Sequence, residues 1–405
     1  MYSIQIGERL FKLSGASLSF DAPSYFTNYF QQTGNESKVL FIDRSPDVFE
    51  KICRHLQGYA ISIDNEYEFL YLYADSSYFH LQKLSSRILE EGLFVNVGGE
   101  SFRIPKDAFM QQGNYPNYFS VLYDTLSTDV FLTNTALLRP PPMSPFTVGR
   151  CPELFKEILQ TLQGNPIDIR SDNHRRDLIN EAKYYSFFSL EQQLIKTDIR
   201  TNPYTNHEEI LINFRDLKKD GLVNCSVNEA DSLVQYARPY FDGCNQRDLI
   251  MQIESSEVSL LINAHDTFTS LTITGNTAKR MHDLLSTVSD DLMYVVTDYG
   301  PKLTLLIHMD NCCTYINGAE MEENWIAKII EARKMIDRDS ETHEDGMEVD
   351  QRDLPHPIPP KVIAVKLLKS QWTISVVGRS RIWANALMYD GVLDERNFIK
   401  KRGFL

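Results

Sequence analysis

The chain has few of the features that mark secreted, membrane-spanning or nucleotide-binding proteins. Its six cysteines (Cys53, Cys151, Cys225, Cys244, Cys312 and Cys313) contain no C-x-x-C pair. Six thiols in 405 residues is far below the density of a disulfide-stapled domain, so a reducing compartment, cytoplasm or nucleus, is expected. No stretch approaches the roughly 18–20 apolar residues of a membrane span, and Met1-Tyr2-Ser3-Ile4-Gln5-Ile6 lacks the basic-then-apolar pattern of a secretory signal. The sequons Asn35-Glu36-Ser37 and Asn224-Cys225-Ser226 therefore read as chance. Basic residues are in deficit, 41 against 55 acidic ones, for a net charge of −14. That balance opposes binding to nucleic-acid phosphates and to anionic membranes.

Chemical motifs are also missing. There is no G-x-x-x-x-G-K-[ST], no G-x-G-x-x-G and no G-x-S-x-G, so no phosphate loop or nucleophile elbow is expected. His308, Cys312 and Cys313 give three candidate zinc ligands where a tetrahedral site needs four, and adjacent cysteines on a strand point to opposite faces. They read as half-buried residues. No catalytic group, cofactor or metal is expected, and the nine histidines are scattered. His55 could titrate near neutrality.

What the sequence does have is repetition. Ser45-Pro46-Asp47-Val48-Phe49-Glu50-Lys51-Ile52-Cys53-Arg54-His55-Leu56-Gln57-Gly58 returns 106 residues later as Cys151-Pro152-Glu153-Leu154-Phe155-Lys156-Glu157-Ile158-Leu159-Gln160-Thr161-Leu162-Gln163-Gly164. Val48, Phe49, Ile52, Cys53 and Leu56 face Leu154, Phe155, Ile158, Leu159 and Leu162. This spacing predicts one wide apolar face of a helix, opened by proline, with Ser45 able to cap it, and closed by glycine. The register holds through Ile61/Ile167, Tyr78/Tyr184 and Leu84/Leu190. Upstream, Ile4 and Ile6 match Val95 and Val97, Phe11 matches Phe102, and Pro23-Ser24-Tyr25-Phe26 matches Pro116-Asn117-Tyr118-Phe119. Each half is expected to run hairpin, helix, strand, repeated helix and two more helices. The second half has a longer insertion ending in Arg139-Pro140-Pro141-Pro142.

Val95-Asn96-Val97-Gly98-Gly99-Glu100-Ser101-Phe102 resembles the N-V-G-G-x-x-F opening of the potassium-channel tetramerisation type of BTB/POZ domain. Phe41-Ile42-Asp43-Arg44 resembles that family's F-x-D-R junction, and Glu181-Ala182-Lys183-Tyr184-Tyr185 its late helix. Each half keeps a different part of the signature: the first has Gln5-Ile6-Gly7-Glu8, the second Val148-Gly149-Arg150. The resemblance implies a small sheet capped by helices that serves protein docking and homo-oligomerisation, and in some members recruitment of a cullin-type ubiquitin ligase. It makes Asp43, Arg44, Asn96, Gly98, Gly99 and Arg150 candidate protein-interface residues. A local salt bridge or cap is equally open to Asp43 and Arg44. In Tyr184-Tyr185-Ser186-Phe187-Phe188 most rings are expected in the core, and any exposed one could anchor a partner. The tandem arrangement resembles fungal BTB proteins.

The fold class expected is α/β, more narrowly α+β. Two tandem BTB/POZ-like units, residues 1–90 and 91–196, precede a strand-rich α+β domain at 200–405 that carries a disordered acidic insertion at 337–360. That insertion has eight acidic and two basic residues and little apolar surface to offset ordering entropy. In the last domain strands are expected at Glu209–Phe214, Leu249–Ile253, Val258–Ile262, Leu271–Ile273, Met293–Val296 and Leu303–Ile307. Val362–Leu367 and Trp372–Val377 are expected to pair as a hairpin. Helices are expected at Glu229–Tyr236, Thr277–Val288, Met321–Ile336 and Arg381–Tyr389. The function that follows is a protein-interaction scaffold. An enzyme with its site in the last domain, and a transcriptional regulator, are the alternatives; the latter lacks a zinc finger or basic helix.

Overall fold

A two-residue turn at Gly7-Glu8 folds β1 (Tyr2–Ile6) back onto β2 (Arg9–Leu13), and Gly7 supplies the positive φ of 53° that the turn requires. The elements α1 (Gly15–Leu18), α2 (Tyr25–Phe30), β3 (Val39–Ile42), α3 (Pro46–Leu56), α4 (Glu66–Tyr78) and α5 (Gln82–Glu90) follow. β3 returns parallel to β1, giving the order β2-β1-β3. The second half begins again with β4 (Leu93–Val97), β5 (Glu100–Ile104), α6 (Lys106–Phe109) and α7 (Tyr118–Ser127). It ends with β6 (Thr147–Val148), α8 (Pro152–Leu162), α9 (Asp172–Tyr184) and α10 (Phe188–Leu194), and its sheet order is β5-β4-β6. This computed structural model describes residues 1–128, 145–224, 231–243, 245–263, 269–328, 330–331, 362–377 and 381–393. They fall into two units, Met1–Leu194 and Ile195–Leu405.

Within the first unit the halves repeat each other contact for contact. The Phe11–Phe49 edge contact at 5.0 Å returns as Phe102–Phe155 at 5.0 Å, and Phe26–Phe49 at 5.7 Å returns as Phe119–Phe155 at 5.6 Å. Phe79 and Tyr185 complete the two aromatic cores. After α4 and α9 the chain reverses at His80 (φ 55°) and Ser186 (φ 61°). Asp21 accepts bonds from the Lys83 and Leu84 amides of α5, while Asn114 accepts from the Leu190 amide of α10. One detail differs from expectation: Ser45 stands at the start of α3 but its hydroxyl caps nothing, and Pro46 alone sets the helix start.

The second unit is built from strands. In order these are β7 (Thr197–Thr201), β8 (Glu208–Asn213), β9 (Leu222–Asn224), β10 (Asp231–Tyr236), β11 (Arg247–Ile253), β12 (Val258–Asn263) and β13 (Thr269–Thr274). Helix α11 (Gly275–Leu285) comes next, then β14 (Met293–Thr297), β15 (Gly300–His308), β16 (Cys313–Ile316), β17 (Ala319–Glu320), β18 (Val362–Val377) and β19 (Arg381–Leu393). Pairings β12–β13, β13–β15, β15–β19, β19–β18 and β18–β12 close a circuit. Alternate residues such as Leu260, Ile262, Leu271, Ile273, Leu305 and Val365 are buried in it. β18 is long enough to leave the circuit and pair also with β10 and β11. Most pairs are antiparallel, but β8–β11, β15–β19 and β16–β19 are parallel.

Three expectations for this unit fail. Glu229–Tyr236 is not a helix where described: Asp231–Tyr236 is a strand, with Val234 and Tyr236 buried at the period of two that a sheet imposes. Val362–Val377 is one strand, and its longest antiparallel pairing is with β19. Arg381–Tyr389 is accordingly strand, with Ile382, Ala384 and Ala386 buried alternately. Alanine favours helix locally, and pairing along β18 overrides that preference. Helix at Trp325–Lys328 and 330–331 covers part of Met321–Ile336. The insertion at 337–360, the Pro-rich loop at 139–142 and the thiols of Cys225 and Cys244 lie outside the described residues.

Candidate functional site

The residues singled out by the family signature lie at the junctions between sheet and repeated helix. Arg44 is buried there, its Nη1 2.8 Å from Asp75 Oδ1 and its guanidinium 4.1 Å from the Tyr78 ring centre. Arg150 repeats this with Glu181 at 2.6 Å and Tyr184 at 4.6 Å. Both arginines thus tie β3–α3 and β6–α8 to the following helix of the same half. Burial pushes the Asp75 carboxyl up to about 6, against the pull of Arg44. Asp43 is exposed. Gly98 and Gly99 form the turn between β4 and β5 with φ of 60° and 97°. A Cβ on Gly98 would stand 2.4 Å from the Arg150 carbonyl oxygen and 2.7 Å from Pro152 Cδ, whereas at Gly7 the nearest atom is 3.6 Å away. The Gly99 amide donates to Asn96 Oδ1.

Asn96 leads to the place where the halves meet. Its amide donates to Glu66 Oε1 of α4 at 3.0 Å. Next to it Phe69 stacks on Phe94 of β4 at 5.5 Å, and the Tyr73 hydroxyl donates to the Leu126 carbonyl at the end of α7 at 2.5 Å. Burial raises the Glu66 carboxyl, but hydrogen bonds from Ser101, its own backbone and Asn96 outweigh it, and the group titrates below the ordinary carboxylate range. The seam is heterologous: a helix of the first half covers the outer face of the second half's sheet. α4 accordingly buries Glu66, Phe69, Leu70, Leu72, Tyr73, Ala74, Asp75 and Ser76.

A heterologous seam used once leaves both complementary surfaces uncovered. On the first half's sheet, the face that carries Ser3 and Gln5, the equivalents of Phe94 and Asn96, also holds Leu10, Val39 and Phe41, which are 51%, 50% and 62% exposed. They lie in rows Leu10–Gln5–Phe41 and Lys12–Ser3–Val39 across the three strands. On the second half, α9 buries Leu178, Ile179, Glu181 and Ala182 and exposes Asp172, Asn173, Arg176, Asp177 and Asn180. Sequence reasoning missed this seam. A usable signal existed in Phe69-Leu70-Tyr71-Leu72-Tyr73: an apolar surface wider than one stripe needs more than one neighbour to cover it, although Tyr67 and Tyr71 stay exposed.

The other candidates fall elsewhere. Of the aromatic cluster only Tyr185 and Phe187 are core, Phe188 is half-buried, and Tyr184 is 46% exposed and borders a cavity of about 530 Å³ with Pro116, Tyr118, Val121, Leu122 and Thr125. His55 is buried with Nε2 3.0 Å from Asp21 Oδ2, and burial lowers its pKa despite that partner. Cys312 Sγ lies 3.3 Å from the Met309 carbonyl. Among the described residues no group of three or more histidine, cysteine, aspartate and glutamate side chains could hold a metal, and no helix is long and apolar enough to cross a membrane.

Comparison with known proteins assigns the two ends of the chain to different models. Residues 3–88 match the model described as BTB/POZ domain, and residues 218–402 the one described as YLR108C C-terminal domain. An uncharacterized protein of Saccharomyces cerevisiae, YDR132C, is 38% identical over 344 residues, covering 70% of this chain and 69% of that protein. The BTB/POZ domain-containing protein YLR108C of the same yeast is 40% identical over 225 residues, 55% of this chain and 46% of its own length. The BTB/POZ match therefore falls on the half that opens with Gln5-Ile6-Gly7-Glu8, while the N-V-G-G turn stands in the other.

Proposed function

The chain belongs to a family of fungal BTB/POZ-domain proteins with a BTB domain of the potassium-channel tetramerisation type at the N-terminus, and on that premise we propose that it is a non-enzymatic protein-interaction scaffold. In this reading residues 91–196 are a second, diverged BTB unit, supported by the shared strand order and the repeated arginine–carboxylate–tyrosine clusters. The two halves of Met1–Leu194 are already joined through α4, so among the described residues the first half's sheet keeps a free outer face. The observation that carries the proposal is that Leu10, Val39 and Phe41 stand open on the same face of the first sheet that α4 covers along β4 in the second. Exposed apolar area of this kind, bordered by Lys12, fits an interaction surface.

The occupant proposed is a second copy of the chain, because the seam inside each copy is the pattern for one between copies: helix α9 of one laid on the first sheet of the other. Light scattering on the full chain tests it. The wild type should be an oligomer, and Leu10→Glu with Phe41→Glu should be a folded monomer. A wild-type monomer, or an unchanged mass in the variant, refutes self-assembly. Affinity purification from extract with the same pair then tests the adaptor reading, in which a cullin-type ligase is bound. Loss of the ligase with the double variant would place recruitment on this face, and absence of any ligase would remove that role. The working compartment under this proposal is the cytoplasm or nucleus.

A further inference from the structure

Among the described residues of the second unit, strand β14 is an open edge. One side pairs with β15, from Met293 opposite Thr304 to Thr297 opposite Gly300; no described strand pairs with the other side. Its side chains are unusually apolar for such a position. Met293, Val295 and Val296 are 51%, 58% and 71% exposed, and Tyr299 just beyond is fully exposed. Sheet edges are ordinarily guarded by lysine, proline or a bulge, because an unpaired row of amides and carbonyls templates another strand. Within Met293–Thr297 there is no lysine and no proline, and its register with β15 has no bulge. The strand is nevertheless held in place: the Tyr294 ring stacks on His282 of α11 with centres 4.2 Å apart.

The surroundings say what could pair there. Asp290 and Asp291 precede the strand and Asp298 follows it, all exposed. Lys302 stands opposite Val295, but on the side already paired. Antiparallel self-pairing of two copies centred on Val295 would bring Asp290 and Asp291 of one beside Asp298 of the other, so like charges oppose a second copy at this edge. At the strand's N-terminal end lies a cavity of about 210 Å³ with Leu292, Met293, Leu306 and Ile382 in its wall and Asp291 and Arg381 among its polar groups. It occupies the gap along β15 between the last residue paired to β14, Thr304, and the first paired to β19, Leu306.

We propose that β14 is a strand-addition site for an extended protein segment whose apolar, β-branched centre is flanked by lysine or arginine. Main-chain hydrogen bonds to β14 give such a complex its affinity, and the aspartates at both ends give it charge selection. The site is independent of the sheet face on the first unit, so either can fail without the other.

The test uses the full chain and a fluorescein-labelled synthetic peptide of alternating valine and threonine with lysine-rich ends, beside the same peptide with glutamate-rich ends. Fluorescence anisotropy should show saturable binding of the lysine-ended peptide, about tenfold tighter than its glutamate-ended counterpart. Hydrogen exchange should slow at residues 293–297 when it binds. Val295→Lys, at an exposed position, should abolish binding, and Asp290→Lys with Asp291→Lys should reverse the preference between peptides. Equal affinity for the two peptides, unchanged exchange at 293–297, or full binding by Val295→Lys each overturns the proposal. So does self-association of the chain that Val295→Lys removes, since the edge would then belong to a second copy.

Discussion

Replacing Gly98 by alanine, with Gly7→Ala as its internal control, separates two effects that the doubled architecture makes comparable. Both glycines occupy the same turn position and both have positive φ, 53° at Gly7 and 60° at Gly98. The left-handed backbone costs an alanine roughly 1–2 kcal/mol, partly offset by about 0.4–1 kcal/mol from the stiffer unfolded chain. Gly7→Ala, whose Cβ has 3.6 Å of clearance, should therefore lose about 1 kcal/mol. At Gly98 the Cβ meets the Arg150 carbonyl oxygen at 2.4 Å and Pro152 Cδ at 2.7 Å. Neither is the end of a flexible side chain, so the β4–β5 turn must move away from the start of α8. Overpacking of this kind adds about 1–3 kcal/mol, for a total of about 2–4 kcal/mol. The chain has two units, and its global unfolding need not be two-state. The assay is therefore hydrogen exchange read on peptides covering residues 2–13 and 93–104. Gly98→Ala should speed exchange in the second segment well beyond the effect of Gly7→Ala in the first. Equal effects, or a larger one at Gly7, would refute the claim that the second turn is pressed against the following helix and the first is not.

Phe69→Ala should cost about 3–5 kcal/mol by opening a cavity at the seam, whereas Arg176→Ala on the exposed face of α9 should change stability by less than about 0.5 kcal/mol; thermal melts compare the two. Asp75 gives a pH dependence. Its folded pKa of about 6 lies above the ordinary aspartate value of 3.8, so the folded chain holds this proton more tightly than the unfolded one. The stability it contributes is full below about pH 4 and lost as pH rises through about 6, amounting to about 3 kcal/mol. Urea titrations from pH 4 to 7 should show that decline, and Asp75→Asn should flatten it. Cys53 should resist thiol-modifying reagents in the native chain, since burial pushes its pKa up to about 12. The exposed Cys313 should be labelled well before Cys53 by site-resolved mass spectrometry, and early labelling at Cys53 would contradict the packing of α3.

The first unit was legible in the sequence because its information is local and stated twice. Phe49/Phe155 and Ile52/Ile158 fix a helix face, and Pro46/Pro152 with Gly58/Gly164 fix its ends. The seam was less legible because it joins unlike parts of the repeat: Phe69 answers to Arg175 and Phe94 to Ser3, so comparing equivalent positions conceals the contact. Of the candidate residues, Arg44 and Arg150 were noticed for their charge, and the geometry gives each a buried carboxylate within its own half. In the second unit, short strands with strict alternation such as Val258–Asn263 could be read directly. Arg381–Leu393 could not, since its strand state depends on a partner, β18, rather than on its own alanines.

The closed circuit in the second unit has a consequence for biosynthesis. β12, β13 and β15 leave the ribosome well before β18 and β19, the strands that join the outer edges of that three-stranded piece. Until residues 362–393 emerge, β12 presents a bare flank and β15 a bare end beyond its pairing with β14, and the nascent chain is at its most vulnerable to sticking to neighbours. A premature stop anywhere before β19 should thus yield not a shortened but working unit, but one that chaperones must hold or proteases remove.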